Sequence, residues 1–282
     1  MFIKRTISGI TITTIVLTVI YISHTASYSF VMPLALTLIA VMGILEFYQL
    51  MEKKGVKTMK AFGAFASVIY IWYLYWSSCI LESLDFSRDA LTLFCLFAGF
   101  FLIYFLEIYS KDDNSALLDI SVSFTGFFYT VWMLSFVMKI NYFPGIDGRK
   151  FLFLLIIITK STDIFAYIAG KSIGNIKLCP RISPNKTVEG ALGGFAGAIV
   201  SSVIFIHFFI KSMNIKNAVI LGILIGIIGQ LGDLVESLLK RDAEVKDSSQ
   251  RFPGLGGVLD ILDSILFTAP VMYFFMEKIL QS

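Results

Sequence analysis

The chain has 282 residues, of which 57% are hydrophobic and only 15% are charged, whereas soluble domains average about 45–50% and 25%. Because a soluble protein of this size cannot bury so many apolar side chains, the composition excludes a soluble globular enzyme, a disordered chain and a disulfide scaffold. The formal net charge of +3 is dispersed along the chain and gives no nucleic-acid-binding face. The sequence therefore predicts an all-α, polytopic integral membrane protein.

The hydrophobic residues fall into nine segments, each near the length of about 20 residues that a transmembrane helix needs. These segments are Ser8–Ile22, Phe30–Met51, Ala61–Ile80, Ala90–Ile108, Ala116–Met138, Phe151–Gly170, Gly190–Ile210, Ala218–Leu231 continuing toward Leu239, and Val258–Leu280. Gly232, Asp233 and Glu236 interrupt the eighth segment, so we expect a broken helix there. Nearly all the unusual polar residues lie in the last four segments. We therefore divide the chain into 1–150, with about five transmembrane helices, and 151–282, a catalytic region with about four.

The basic residues predict the orientation of these segments, because short cytoplasmic loops are enriched in Lys and Arg. With the N-terminus inside, 15 of the 23 Lys and Arg are cytoplasmic and 7 are external, and Lys160 lies within a span. We therefore predict a cytoplasmic N-terminus, with loops 171–189 and 240–257 also in the cytoplasm. An alternative is that the first segment, preceded by Lys4 and Arg5, is a cleaved signal peptide. Cleavage would leave the orientation of the other segments unchanged.

Charged residues within the spans are functional candidates, because each costs at least ~2.5 kcal/mol on insertion scales. Glu46, Glu107 and Asp119 lie alone or near the ends of spans, so we expect them to be solvated or helix-terminal. Lys160 and Asp163 are three residues apart on one helix face. They form either a structural ion pair or part of a functional site.

Four polar residues around the end of the eighth segment recur at intervals of three and four, so they share one helix face: Asp233, Glu236, Ser237 and Lys240. An ordinary amphipathic helix is the alternative interpretation of this stripe. The cations that follow suit the binding of a polyphosphate, and they are Lys240, Arg241 and Lys246.

A glycine-rich turn, Pro253–Gly257, then leads into the last hydrophobic segment, whose first turns carry Asp260 and Asp263. Helix capping is one explanation, because carboxylates near a helix N-terminus are favoured by the dipole. Two acids three residues apart among Val, Leu and Ile favour metal binding instead. Carboxylate ligands without nearby His or Cys suit Mg²⁺. Acids, bases and a glycine loop at a cytoplasmic membrane face together indicate metal-assisted phosphoryl or nucleotidyl transfer.

A second polar loop, Ser183–Gly190, precedes the glycine-rich seventh segment. It is either a simple turn and helix N-terminus, with Glu189 early in the helix, or a phosphate-binding loop that uses Lys186, Thr187 and backbone amides. The chain contains neither a Walker A motif nor a GxGxxG fingerprint, so a P-loop or Rossmann nucleotide site is not supported.

Three blocks resemble the phosphatidate cytidylyltransferase (CDP-diacylglycerol synthase) family. They are Asp163–Tyr167 with Gly170, Ser183–Gly190, and the long block from Gly232 to Ser264. The long block resembles the family signature of Ser, Lys-Arg, Lys-Asp, Pro, Gly-Gly and Asp-x-x-Asp-Ser at the matching spacings. Two positions depart from it: Leu255 stands where the family commonly has His, and Ile261 where it has Arg.

The resemblance implies the reaction CTP + phosphatidic acid → CDP-diacylglycerol + pyrophosphate. It implies Mg²⁺ as cofactor, with a second, monovalent cation as a further possibility, and a homodimer in a bacterial-type inner membrane with its active site facing the cytoplasm. We expect the last four spans and the two loops to form a polar cavity open to the cytoplasm and to lipid, so that the lipid head group can meet CTP.

From the residue chemistry and the resemblance we select the candidate site residues. The catalytic candidates are Lys246, Asp247, Asp260 and Asp263. The substrate-binding candidates are Asp163, Ser183, Asn185, Lys186, Thr187, Glu189, Ser237, Lys240 and Arg241. The metal-ligand candidates are Asp247, Asp260 and Asp263, with Asp233 and Glu236 as second candidates.

Two other functions fit parts of the same pattern. A CTP-dependent polyprenol or phytol kinase would use a hydroxyl acceptor and would need a general base. A secondary transporter of an anionic solute would use the broken eighth helix and the intramembrane acids as its binding site. Against a transporter, the sequence has no obvious internal repeat, and its polar residues cluster toward one membrane face.

Overall fold

A computed structural model describes residues 2–79, 86–110, 116–211, 213–249, 251–252 and 254–280. The motif residue Pro253 lies outside these ranges. Within them the α-helices are α1 (Phe2–Ile22), α2 (Val31–Glu52), α3 (Lys60–Cys79), α4 (Phe86–Ser110), α5 (Ala116–Gly126), α6 (Met133–Asn141), α7 (Gly148–Ile173), α8 (Val188–Phe209), α9 (Ile215–Asp242) and α10 (Val258–Leu280). A π-helical segment, Phe127–Trp132, joins α5 to α6. Two short antiparallel strands, β1 (Lys177–Cys179) and β2 (Ser183–Thr187), form a hairpin between α7 and α8.

Six helical stretches in the described part of the chain are long and apolar enough to cross a membrane. They are Val31–Glu52, Leu117–Asn141, Gly148–Ile173, Val188–Phe209, Ile215–Asp242 and Val258–Ile279. Shorter apolar helical stretches run Ser8–Ile22 and Thr92–Leu102. The prediction of a helical, polytopic membrane protein is confirmed by these stretches, whereas the count of nine spans and the cytoplasmic N-terminus stay predictions.

The first of two compact units contains Met1–Pro144 together with Asp247–Asp260. Its interior is rich in buried aromatic side chains contributed by α2, α3, α4 and the π-helical segment. The Tyr48 hydroxyl donates a hydrogen bond to the Ser123 carbonyl oxygen at 2.8 Å. Lys139 and Asp89 form a buried ion pair. Aromatic packing, together with paired polar groups such as these, therefore helps to hold this unit together.

The structure tests the expectation that three acidic residues in the N-terminal spans are solvated or helix-terminal. Asp119 does lie in the first turn of α5, but it is buried and accepts a hydrogen bond from the Lys57 backbone N–H at 3.0 Å. For Glu46 the expectation is wrong, because its side chain is fully buried within α2. The Glu107 side chain lies outside the described part of the structure.

The second unit contains Gly145–Lys246 together with Ile261–Ser282. Here α8 packs closely against α7 through a row of glycines. A Cβ added at Gly194 would lie 2.8 Å from the Thr162 carbonyl oxygen, and one at Gly197 would lie 2.6 Å from Cγ of Phe165. Small residues at such positions let two membrane helices approach until their backbones are nearly in contact.

Helix α9 is a single continuous helix from Ile215 to Asp242. The expectation of a broken eighth helix is therefore wrong. Asp233 and Glu236, which interrupt the apolar pattern, each form an ion pair with a lysine, so their charges are compensated without unwinding the backbone. The half-helix ends that a transporter site would use are absent from α9.

Candidate functional site

Three carboxylates in the second unit converge on one point. Asp233 and Glu236 are three residues apart on α9, and Asp263 comes from the neighbouring helix α10. One carboxylate oxygen from each lies within 4.8 Å of those of the other two. Gly232 permits this approach, because a Cβ there would lie only 2.7 Å from the Asp263 carbonyl oxygen. We refer to Asp233, Glu236 and Asp263 as the carboxylate cluster.

Two lysines compensate most of the charge of the carboxylate cluster. The Lys186 ammonium lies 2.5 Å from Oδ2 of Asp233, and the Lys240 ammonium lies 2.5 Å from Oε2 of Glu236. The Glu236 side chain is only 3% exposed, whereas Lys186 and Asp233 are 27% and 31% exposed. Three carboxylates and two ammonium groups leave one net negative charge. Of the two lysines, Lys186 is the more accessible, because its side chain is 27% exposed and that of Lys240 is 16% exposed.

A second acid–base pair lies near the cluster. Lys160 and Asp163 on α7 form an ion pair with Nζ and Oδ2 separated by 3.6 Å, and both side chains are about half exposed. The two residues therefore form the ion pair that their spacing predicted, and a functional role for them stays a prediction. Asp163 also interacts electrostatically with Asp233 and Lys186. Asp163 is thus close enough to the carboxylate cluster to interact with its charges.

The hairpin that carries Lys186 is fixed by capping contacts. Thr187 ends β2 and caps α8, where its Oγ1 accepts a hydrogen bond from the Gly190 N–H at 3.1 Å. The Glu189 carboxylate accepts from the Ile176 N–H, with its two oxygens at 3.1 and 3.2 Å. Arg241 donates a hydrogen bond through Nε to the carbonyl oxygen of Ile182, between the two strands of the hairpin, at 3.2 Å. These three substrate-binding candidates therefore have contacts that orient the hairpin beside α9.

The remaining candidates of the second unit differ in exposure. Ser183 and Ser237 are partly buried, while Asn185 and Lys246 are exposed. Asn185 lies one residue before Lys186 on β2.

Asp260 belongs to the first unit and has different neighbours from Asp263. Its Oδ2 accepts hydrogen bonds from the Ser248 N–H at 2.9 Å, the Ser248 hydroxyl at 2.7 Å and the Gly257 N–H at 2.7 Å. These contacts match the capping interpretation of Asp260. Asp247 begins the segment Asp247–Asp260 of the first unit, and its side chain is exposed.

The sequence predicted a solvated or helix-terminal role for Glu46, whereas in the structure it is a buried acid beside residues 247–260. Its carboxylate accepts hydrogen bonds from the Ser249 hydroxyl and the Leu259 N–H, and it shares the Ser248 hydroxyl with Asp260. Nη1 of Arg251 lies 3.6 Å from Oε1 of Glu46. A charged residue within an apolar span was the available signal, but nothing in the sequence indicated partners about 200 residues away.

The donor set of the carboxylate cluster fits a divalent cation that prefers oxygen. All three donors are carboxylates, and the nearly buried Glu236 fixes one side of the group. Carboxylate oxygens are the ligands typical of Mg²⁺, which usually completes its shell with water and substrate phosphates. With a divalent cation added, the cluster and its two lysines would carry one net positive charge. The arrangement therefore suits a polyanionic substrate.

Comparisons with known proteins agree with this chemistry. A family model described as the cytidylyltransferase family matches residues 3–279. The chain is 32% identical over 268 residues to a phosphatidate cytidylyltransferase of Synechocystis sp., which covers 87% of this chain and 88% of that protein. It is 38% identical over 225 residues to the uncharacterized protein YnbB of Escherichia coli, covering 78% and 75%. A phosphatidate cytidylyltransferase of Bacillus subtilis is 45% identical over 129 residues, covering 46% and 48%. With a family match that runs almost from end to end, the chain belongs to the cytidylyltransferase family.

Proposed function

We propose that this protein is a phosphatidate cytidylyltransferase, which converts CTP and phosphatidic acid to CDP-diacylglycerol and pyrophosphate. The observation that carries this proposal is the carboxylate cluster with Lys186 beside it. It occurs in a chain that aligns with 88% of the length of the Synechocystis phosphatidate cytidylyltransferase. Such a site can bind a nucleoside triphosphate through its phosphates.

The proposed cofactor is Mg²⁺, held by Asp233, Glu236 and Asp263. When bound, Mg²⁺ would neutralise charge on the CTP phosphates and on the departing pyrophosphate. Asp247 and Asp260 stay predicted ligands, and a second, monovalent cation stays a prediction from the family resemblance.

The protein's own side chains bind and orient the two anionic substrates. Lys186, whose ammonium is partly exposed, can exchange its contact with Asp233 for one with a CTP phosphate oxygen. Lys240 stays near the buried Glu236 and adds a second positive charge to the cluster. In the proposed step an oxygen of the lipid phosphate forms a bond to the CTP α-phosphorus, and the bond from that phosphorus to the bridging oxygen of pyrophosphate breaks.

This reaction needs no protonatable side chain at the reacting atoms. The lipid phosphate monoester is already ionised, and pyrophosphate leaves as an anion that cations can hold. Leu255, which stands where the family commonly has His, is therefore compatible with the proposed activity.

We further propose that the N-terminus is cytoplasmic, that the cluster is reached from the cytoplasm, and that the protein lies in the inner membrane as a homodimer. The charge count supports this orientation, because 15 of the 23 Lys and Arg become cytoplasmic. The contact between Glu46 and Ser249 agrees with one part of this arrangement, the placement of α2's end and loop 240–257 on the same membrane face.

The test is pyrophosphate release by the purified protein in detergent micelles. We expect release only when CTP, phosphatidic acid and Mg²⁺ are all present, with CDP-diacylglycerol formed in equal amount. In a parallel reaction that contains CTP, Mg²⁺ and a polyprenol, formation of CDP and a phosphorylated polyprenol, without pyrophosphate, would instead identify a lipid kinase. Asp263→Asn serves as the matched inactive control, because it keeps the size of the side chain while removing one carboxylate from the cluster.

A further inference from the structure

The segment from Asp247 to Asp260, which we call the signature loop, contacts α2 through a buried carboxylate, that of Glu46. Glu46 has no exposed surface, although it lies in a candidate membrane span. Oε1 accepts a hydrogen bond from the Ser249 hydroxyl at 2.8 Å. Oε2 accepts from the Leu259 N–H at 3.2 Å and also lies 3.2 Å from the Ser248 hydroxyl, whose single proton it shares with the closer Asp260 Oδ2. The carboxylate therefore contacts the signature loop near both of its ends.

The glycine pair of the signature loop is explained by the same contact. Gly257 packs so closely that a Cβ there would overlap Oε2 of Glu46 and the Ser248 hydroxyl. At Gly256, φ is +89° and a Cβ would lie 2.5 Å from Oδ2 of Asp260. Glycine is required at both positions for close approach to a carboxylate. The two glycines thus fit a loop shaped around Glu46 and Asp260.

A buried carboxylate in an apolar helix is costly unless hydrogen bonds and cations compensate it. Glu46 receives hydrogen bonds from the Ser249 hydroxyl and the Leu259 N–H and shares the Ser248 hydroxyl with Asp260, and Nη1 of Arg251 in the same loop lies 3.6 Å from Oε1. Because these donors all come from one segment, releasing that segment would leave Glu46 buried without them. The carboxylate and the loop therefore order each other.

We propose that Glu46 is a positioning residue, which holds the signature loop in the conformation that the transferase reaction requires. The role rests on the proposed cytidylyltransferase activity, and it goes beyond the motif residues because Glu46 lies about 200 residues before the loop. Glu46 contacts neither substrate nor metal in this role. It acts through the loop that carries Asp247, Arg251 and Asp260.

The chemistry of the contacts predicts which substitutions matter. Gln at position 46 can keep its carbonyl oxygen toward Ser248 and Leu259 and can donate its amide to the Ser249 hydroxyl, which is also an acceptor. Ala removes every contact. A positioning role through hydrogen bonds therefore predicts that Glu46→Gln retains function and that Glu46→Ala loses it.

The experiment measures loop release and activity separately on detergent-purified protein. Limited trypsin digestion reports cleavage after Arg251, the loop residue that Glu46 itself attracts. We expect Glu46→Ala to raise that cleavage rate at least about tenfold and to lower pyrophosphate release at least about tenfold. Glu46→Gln should stay within about threefold of the natural protein in both measurements.

Two further variants keep the test decisive. Ser249→Ala removes only the 2.8 Å contact and should raise the cleavage rate about threefold, even if Glu46→Ala does not fold. Asp119→Asn alters another buried carboxylate of the first unit, which accepts a hydrogen bond from the Lys57 N–H, and it should leave cleavage after Arg251 unchanged.

Several outcomes would overturn the positioning role. They are unchanged cleavage in both Glu46→Ala and Ser249→Ala, equal loss of activity in Glu46→Gln and Glu46→Ala, or the same loop release in Asp119→Asn. The digestion needs no substrate, so a protein without cytidylyltransferase activity would contradict the proposed function while leaving the anchoring test intact.

Discussion

Replacing Asp263 by Asn should stabilise the metal-free protein while abolishing its response to Mg²⁺. The three carboxylates of the cluster lie within 4.8 Å of one another. At that spacing and an effective dielectric constant of about 20, two unit charges repel by about 3.5 kcal/mol. Asp263 has two such neighbours, but Lys186 and Lys240 offset part of the repulsion, and Asp233 is partly exposed. We therefore expect a net gain of about 1–2 kcal/mol.

The assay is thermal unfolding of the detergent-purified protein, followed by circular dichroism at 222 nm in EDTA and in increasing Mg²⁺. For a chain of this size, the gain corresponds to a rise in Tm of roughly 2–8 °C in EDTA. Mg²⁺ at about 100 times its Kd should stabilise the natural protein by about 2.7 kcal/mol. Asp263→Asn should show less than about a third of that effect and should lose most pyrophosphate release.

The matched control is Asp119→Asn, which changes a buried carboxylate that accepts a backbone hydrogen bond. It should lower Tm and leave the Mg²⁺-dependent increase intact. The reasoning is refuted if Asp263→Asn lowers Tm in EDTA, or if it keeps the full stabilisation by Mg²⁺. Either result would mean that Asp263 has a structural role and is not part of a metal site.

Three other substitutions test separate parts of the structure. Lys186→Met should raise KM for CTP at least about tenfold with a smaller effect on kcat, because it removes the accessible cation beside Asp233. Steady-state kinetics measures both constants, and an unchanged KM would contradict the phosphate-binding role. Gly257→Ala should destabilise the protein by about 1–3 kcal/mol, because its Cβ would overlap the Glu46 carboxylate; a Tm equal to that of the natural protein would count against the packing argument. Leu255→His should leave kcat within about tenfold, a window of ~1.4 kcal/mol; restoration of an otherwise inactive protein by several orders of magnitude would show that proton transfer is required.

Local periodicity was enough to predict the contacts that lie within one helix. Residues three apart on a helix share a face, so the proximity of Asp233 to Glu236 and the ion pair between Lys160 and Asp163 follow from spacing alone. Composition likewise determined that the chain is a helical membrane protein, because apolar segments near 20 residues must satisfy their backbone hydrogen bonds internally.

Periodicity alone did not indicate which neighbouring segments contact each side chain. Asp260 and Asp263 are three apart in sequence, and spacing alone favoured a shared metal site. In the structure Asp260 accepts hydrogen bonds from Ser248 and Gly257, whereas Asp263 joins the carboxylates of α9. The predicted break in α9 fails for a related reason, because lysine partners compensate its acids within a continuous helix.

The sequence by itself thus determined the membrane class, the polar residues and their pairing within single helices. Only the tertiary structure decided which distant segments meet, as with Glu46 and the signature loop, or Lys186 and Asp233. The physical reason is that a helix repeat fixes neighbours within a few residues, whereas contacts across 50 or 200 residues depend on how helices pack. That packing is set by shape, as at Gly232 and Gly257, where the absence of a Cβ allows the close approach.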